Sequence, residues 1–237
     1  MNYDKINYFV IKQNNRKQEF VKCKTDELAV EIPSISPSSL TLGHGFYTIL
    51  HMEILHLGED LLRQKSLPVE EINDELRATL DAMFDTMIES NGVGLAAPQV
   101  GILKRFFVVL ADDEVRRVFI NPQIVSTSQE MCDYEEGCLS IPNVYEKITR
   151  PAKITVQALN ERGRPFTLEA EGFLARVIQH EYDHLEGVLY IDRGDQDFRQ
   201  KTIQQFEKKA ARKAEKEAAK AAKAAKIAAK KAKKAGA

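Results

Sequence analysis

The sequence predicts an α+β domain, and three observations carry the prediction. One helical stripe comes first, short apolar runs bounded by turn residues follow, and a second helix comes last, an order that disfavours repeated βαβ units. The expected architecture is antiparallel strands packed around a central C-terminal helix, with an N-terminal amphipathic helix ahead of them. Leu76, Leu80, Met83, Phe84, Met87 and Ile88 recur at i, i+4, i+7, i+8, i+11 and i+12, the stripe of the first helix. Asn91-Gly92 ends it, because Asn and Gly tolerate the left-handed cap. Gly92–Gly101 (GVGLAAPQVG) reads as a tight, close-packed turn. Arg105–Leu110 and Val118–Ile120 read as short strands. So do Ile154–Ala158 and Phe166–Ala170, with Glu161–Arg164 as the turn between them. The second helix is placed at about Gly172 to Glu186, and no internal repeat is present.

With 237 residues and 43% apolar side chains, the chain is long and apolar enough to bury a core, which excludes a wholly disordered protein. The net charge of -1 hides a division. Residues 207–237 hold twelve Lys or Arg against three Glu, a net +9, and leave -10 for residues 1–206. Three units are expected: an extension over 1–51, an acidic domain over 52–206, and a Lys/Ala-rich basic helical tail over 207–237. The tail consists almost wholly of strong helix formers and would extend roughly 46 Å as one helix. Ile32–Gly45, rich in Ser, Pro and Gly, reads as a linker. No apolar run approaches the roughly 18 residues of a membrane span, so no membrane partner is expected. The start lacks the features of a signal peptide, and residues 1–51 carry five acids, unlike a transit peptide. Three cysteines, Cys23, Cys132 and Cys138, make an odd and sparse set that fits a reduced, cytoplasmic setting.

The segment Gln179–Gly187, QHEYDHLEG, is the most informative. His180 and His184 are one turn apart on one helix face, so both imidazoles can share a tetrahedral ion. Glu181 lies about 100° around the helix, where it can reach an activated water without being a ligand. The competing reading is a surface helix that happens to hold two histidines. An open catalytic site needs a third protein ligand. A third histidine ten positions after the first would fall at Tyr190, which excludes that pattern. The downstream candidates Glu207, Glu215 and Glu217 lie in or beside the tail, a poor place for a rigid ligand. An upstream cysteine remains, and Cys138 in Glu136–Ser140 (EGCLS) is the candidate, with Gly137 beside it to admit close backbone approach. Its alternative role is a small buried hydrophobe, the role expected of Cys132 and Cys23. GVGLAAPQ lacks the Lys-Ser/Thr of a phosphate loop.

Taken together, GVGLAAPQ, EGCLS and QHEYDH, in this order and at these separations, resemble the three signature motifs of peptide deformylases. The resemblance runs from about Met52 through Tyr190 into the helix beyond. It implies that Cys138, His180 and His184 bind one divalent metal ion, Fe²⁺ with Zn²⁺ or Ni²⁺ able to substitute. It makes Glu181 the general base and then acid, and makes Gln99 and the backbone N–H of Leu139 the donors to a developing oxyanion. Gly94 would contact the substrate backbone, and Glu136 would orient the site, paired with Arg150. The implied reaction removes the formyl group from N-formylmethionyl nascent peptides and releases formate. The small formyl group suits a crevice walled by Gly92, Gly94 and Ala96, and Val177 and Ile178 are candidates to line an apolar pocket for the methionine thioether.

The resemblance also marks a departure. Where many bacterial members place an Arg near the substrate, this chain has Tyr145, so preference beyond the first residue is expected to differ. The family-like pattern begins at Met52, and residues 1–51 are expected to be a misassigned upstream start or a poorly ordered extension. The chain is expected to be a monomer, and the +9 tail is a candidate for contact with ribosomal RNA through its phosphates. Two other functions stay open at this point. An HExxH metallopeptidase would leave EGCLS and GVGLAAPQ unexplained, and an inactive domain binding RNA through the tail would leave Glu181 and the ligands unexplained.

Overall fold

The computed structural model describes residues 52–235, so the expectations for residues 1–51 lie outside the described residues. Within them the architecture is α+β, with antiparallel sheets and three α-helices. A short 3-10 turn at Asp60–Arg63 leads to α1 (Asp74–Glu89). The strands then follow in the order β1 (Gly94–Ala96), β2 (Phe106–Leu110), β3 (Arg116–Thr127), β4 (Met131–Cys138), β5 (Ile141–Pro151), β6 (Lys153–Leu159) and β7 (Pro165–Glu171). After them come α2 (Gly172–Leu185), a 3-10 turn at Tyr190–Asp192, and α3 (Gln196–Ala235).

Helix α1 starts where the Asn73 side chain accepts the Leu76 N–H, and Asp74 and Glu75 in its first turn suit the positive end of the helix dipole. It ends before Asn91, whose φ of 57° is the left-handed cap the sequence calls for. Leu80, Met83, Phe84 and Met87 are buried as the stripe predicts, but Ile88 is 49% exposed. Ile88 falls at the trailing edge of the stripe, one position past Met87, and turns away from the sheet.

Five strands form one antiparallel sheet in the order β1-β2-β3-β6-β7. The run FFVVL in β2 is apolar throughout because both faces of the sheet are covered. Phe107 and Val109 join Phe119, Val156, Val177 and Ile178 in a core against α2. The alternate residues Phe106 and Val108 join Leu80, Met83, Phe84 and Met87 of α1. The second sheet is the hairpin β4-β5, whose tip is the two residues between Cys138 and Ile141. Gly172, at φ 59°, turns the chain from β7 into α2 without a loop between them, a conformation glycine adopts at little cost.

Three strands differ from the sequence reading. Gly94–Ala96 is an edge strand rather than part of a turn, and it runs into a 3-10 turn over Ala97–Val100. Strands β4 and β5 have no counterpart in that reading because their alternation is broken by charged residues, two of which, Glu136 and Arg150, are buried. Helix α3 begins eleven residues before the Lys/Ala segment. Phe198, Ile203 and Phe206 pack with Ile141, Ile148, Leu189 and Tyr190, and Thr202 is buried. From Glu207 onward every residue whose exposure is described is exposed. No helix among the described residues is long and apolar enough to cross a membrane.

Phe84 fills the α1 side of the sheet at 2% exposure. Phe84→Ala is expected to lower the unfolding free energy by about 3–5 kcal/mol, read as a fall in the urea midpoint at constant slope.

Candidate metal centre and active site

The fold brings Cys138 from the end of β4 to the His-bearing face of α2. Cys138, His180 and His184 are all buried, and one donor atom from each lies within 4.8 Å of the other two. The Cys138 Sγ is 3.3 Å from His184 Nε2, and the two imidazole centroids are 5.1 Å apart. A tetrahedral zinc-like ion about 2.3 Å from sulfur and about 2.0 Å from nitrogen sets those donors roughly 3.5 Å apart, so the spacing fits such an ion. The irregular register between Glu136 and Cys138 re-aims the end of β4 and puts the thiol at the helix. One soft sulfur and two imidazoles suit a borderline divalent metal.

Glu136 anchors the surroundings. It is 0% exposed, and its Oε2 lies 2.9 Å from His180 Nδ1. Arg150 donates to both of its oxygens, through Nε at 2.7 Å and Nη2 at 3.0 Å, and Arg176 Nη1 donates to Oε1 at 2.7 Å. Burial pushes the Glu136 carboxyl upward, but the His180 hydrogen bond and the Arg150 charge outweigh it and hold its pKa well below the usual carboxylate range. An ionised Glu136 can only accept, so His180 Nδ1 donates to it and Nε2 is the nitrogen left to face an ion. Arg150 Nη1 also donates to Asp183 at 2.6 Å, and Arg193 covers the other oxygen of Asp183 at 2.7 Å. Tyr190, where a third histidine would fall, stacks on His180 at 5.8 Å and donates its hydroxyl to the Val144 carbonyl.

Glu181 points elsewhere on α2 and is 2% exposed. Its Oε2 has no hydrogen-bond partner among the described residues, and burial raises its pKa to about 7. A buried carboxyl with that affinity is suited to taking and returning a proton near neutrality. Gly94 lies directly against it: a Cβ built there would be 2.8 Å from the Glu181 carboxyl carbon. Gln99 is buried, and its Oε1 accepts the Ala96 N–H at 2.8 Å, which fixes the amide so that its NH₂ faces the site. That NH₂ lies 3.5 Å from Cys138 Sγ and 3.1 Å from Ser140 Oγ.

Leu139 stands at the hairpin tip, and Gly92 packs against its side chain and against Met87. Ala96 is fully buried. Tyr145 is 41% exposed and lies across Gly137, where a Cβ would come within 2.7 Å of its ring. Val177 and Ile178, at 1% and 0% exposure, belong to the main core cluster. Cys132 is intermediate in burial, and like Cys138 it forms no disulfide.

Sequence reasoning missed Arg176, Asp183, Ser140 and Tyr190 as parts of this site. Arg176 is four residues before His180 and Asp183 three after it, so helical spacing alone places both near the ligand face. Nothing in the sequence signals that their partners lie on the hairpin.

The comparisons with known proteins agree with one another. The sequence model of the family described as polypeptide deformylase matches residues 51–200, more than half of the chain. A peptide deformylase of Treponema pallidum is 50% identical over 155 residues, covering 65% of this chain and 95% of that one. Peptide deformylase 1 of Clostridium perfringens is 56% identical over 135 residues, with 56% and 91% covered. Among solved structures, a Synechococcus elongatus peptide deformylase in complex with actinonin superposes with a TM-score of 0.62 at 43% identity, over 65% of this chain and 86% of that one.

The two cysteines make a direct test of the donor set. Cys138→Ser is expected to abolish stoichiometric uptake of one divalent ion per chain, measured by elemental analysis after dialysis, whereas Cys132→Ser keeps it. Equal ion content in both variants would remove Cys138 from the set.

Proposed function

This chain belongs to the peptide deformylase family, and from that premise we propose how its own residues carry out the family's metal-dependent hydrolysis, which removes the formyl group from the N-terminal methionine of newly made proteins and releases formate. The observation that carries the assignment is the buried set of Cys138, His180 and His184 with the unpartnered Glu181 oxygen on the same helix.

Cys138, His180 and His184 would hold one divalent ion, Fe²⁺ with Zn²⁺ or Ni²⁺ able to replace it. When bound, the ion supplies Lewis acidity, making a water acidic enough to lose its proton near neutrality. Glu181 takes that proton and later returns it to the departing amine. Its buried setting and pKa of about 7 support both halves of the exchange. The Gln99 NH₂ and the Leu139 N–H hold the formyl oxygen as negative charge grows on it, so their hydrogen bonds strengthen in the transition state. The Ala96 N–H to Gln99 Oε1 bond keeps that amide from rotating away. Glu136 holds His180 in the tautomer that offers Nε2.

Gly92, Gly94 and Ala96 wall a crevice that admits formyl and little more, and Gly94 offers its backbone to the substrate. Val177 and Ile178 form the buried apolar backing of the methionine pocket rather than open surface. Tyr145, exposed beside Gly137, meets residues after the methionine. The domain division is 52–206 for catalysis and 207–237 for the tail, with 1–51 as an extension. The chain acts as a cytoplasmic monomer, and its +9 tail binds ribosomal RNA phosphates near the emerging peptide.

Two experiments test this account. Formate release from a formyl-Met peptide, with protein purified anaerobically, is expected from the parent. Glu181→Ala should lose about 10²–10⁴-fold in turnover with its ion retained. Gly94→Ala should lose at least about tenfold, since its methyl group displaces the same carboxyl. Peptide-bond cleavage without formate would instead favour a metallopeptidase. For the tail, co-sedimentation with ribosomes is expected to fall on deleting residues 207–237 and on raising salt, and indifference to both would overturn the contact.

A further inference from the structure

The three ion donors are divided between two elements. Cys138 belongs to the β4-β5 hairpin, and His180 and His184 belong to α2. Backbone hydrogen bonds hold each element together internally, but among the described residues none joins hairpin to helix, so side chains must set the separation between thiol and imidazoles. The Arg150–Glu136 pair cannot do this alone, because both of its members sit on the hairpin.

Arg176 is placed to do it. It lies one turn before His180 on the same face of α2 and is 1% exposed. All of its hydrogen-bond partners are on the hairpin. Nη1 donates to Glu136 Oε1 at 2.7 Å and to the Ile148 carbonyl at 2.9 Å. Nη2 donates to the Cys132 carbonyl at 2.7 Å and lies 3.4 Å from the Cys132 sulfur. The guanidinium also sits 5.0 Å from the centre of the Tyr134 ring. A planar fork reaches two strands of the hairpin at once, which a lysine ammonium cannot reproduce. On the far side of His180, Asp183 takes Arg150 from β5. The helix is thus tied to the hairpin one turn before the ligand and one turn after it.

We propose that Arg176 is a positioning residue of the metal centre, clamping α2 onto the β4-β5 hairpin so that the Cys138 thiol and the two imidazoles stay at ion-binding separation. This rests on the assignment of Cys138, His180 and His184 as ligands. The clamp acts through Glu136 and the Ile148 carbonyl at Nη1 and through the Cys132 carbonyl at Nη2. Its loss lets the thiol drift from the helix while the hairpin and the helix each remain formed.

The test uses the full chain loaded with Co²⁺, whose absorption bands report ligand geometry and thiolate bonding. Arg176→Met is expected to release Co²⁺ to excess chelator about 10–100-fold faster than the parent, the range for residues that support ligands, with shifted absorption bands. Arg176→Lys should fall between the two, and it carries the comparison should Arg176→Met fail to fold. Phe84→Ala, on the opposite side of the sheet, serves as the stability control and is expected to release Co²⁺ at the parental rate despite its lower urea midpoint. Parental bands and release in Arg176→Lys and in any folded Arg176→Met overturn the clamp. So does acceleration in Phe84→Ala as large as in the Arg176 variants, since that assigns the effect to general destabilisation. A parent that takes up no Co²⁺, or a Cys138→Ser variant that keeps it, defeats the ligand assignment instead and is recognisably a different failure.

Discussion

The whole site depends on one carboxylate that is fully buried. Burying an ion costs several kcal/mol unless charge and hydrogen bonds replace its hydration, and Glu136 has both in excess. Two arginines and one imidazole converge on its two oxygens. Because those partners come from β5 and from two turns of α2, satisfying Glu136 is the same event as docking the hairpin on the helix. The buried cluster of Cys138, His180 and His184 is assembled as a by-product of that docking. Asp183 extends the arrangement, so that two buried acids face two buried arginines, with Arg193 closing the rim.

The site keeps two buried carboxyl groups, one from β4 and one from α2, in opposite states. Glu136, ringed by donors, is held ionised, while Glu181, buried without such partners, holds its proton to about pH 7. The first is suited to orienting an imidazole as a fixed charge, and the second to exchanging a proton. Gly94 is part of this division. Its missing side chain lets β1 lie on the Glu181 carboxyl, which excludes water from one side and prevents the group from finding a partner. Gln99 shows the opposite solution for a polar group. It is held at both ends of its amide, and so presents a donor in a fixed direction.

The legible parts of the sequence were those governed by a period or by a motif. Helix α1 announced itself by its stripe and by Asn91, and α2 by QHEYDH. The two-faced burial of β2 appeared as the unbroken run FFVVL. The β4-β5 hairpin was not legible, although it carries Cys138. Its sequence reads as polar because Asp133 and Lys147 pair across the outer face and Glu136 and Arg150 pair within. Strand signals assume that buried means apolar, and this hairpin buries charge against charge. EGCLS could be found as a motif while its strand could not be found as a strand. Arg176 escaped for a related reason: on a helical wheel it is a charge on the apolar side of α2, and only its partners from another element explain it.

Helix α3 joins the acidic domain and the basic tail in a way that bears on both. Its first turns are anchored by Phe198, Thr202 and Phe206, and Arg199 pairs with Asp192, which also pairs with Arg63. The cluster that receives them includes Cys138 and Tyr190, and Tyr190 stacks on His180. The helix then continues into the Lys/Ala stretch without a break, to Ala235. A tail joined by a glycine-rich linker would let the domain tumble about its contact point. A continuous helix rooted two side chains away from His180 does not, because each added residue advances about 1.5 Å along one axis. Any surface that captures the lysines therefore also orients the cleft, and the orientation is set by the packing of Phe198 and Phe206 rather than by the charges themselves.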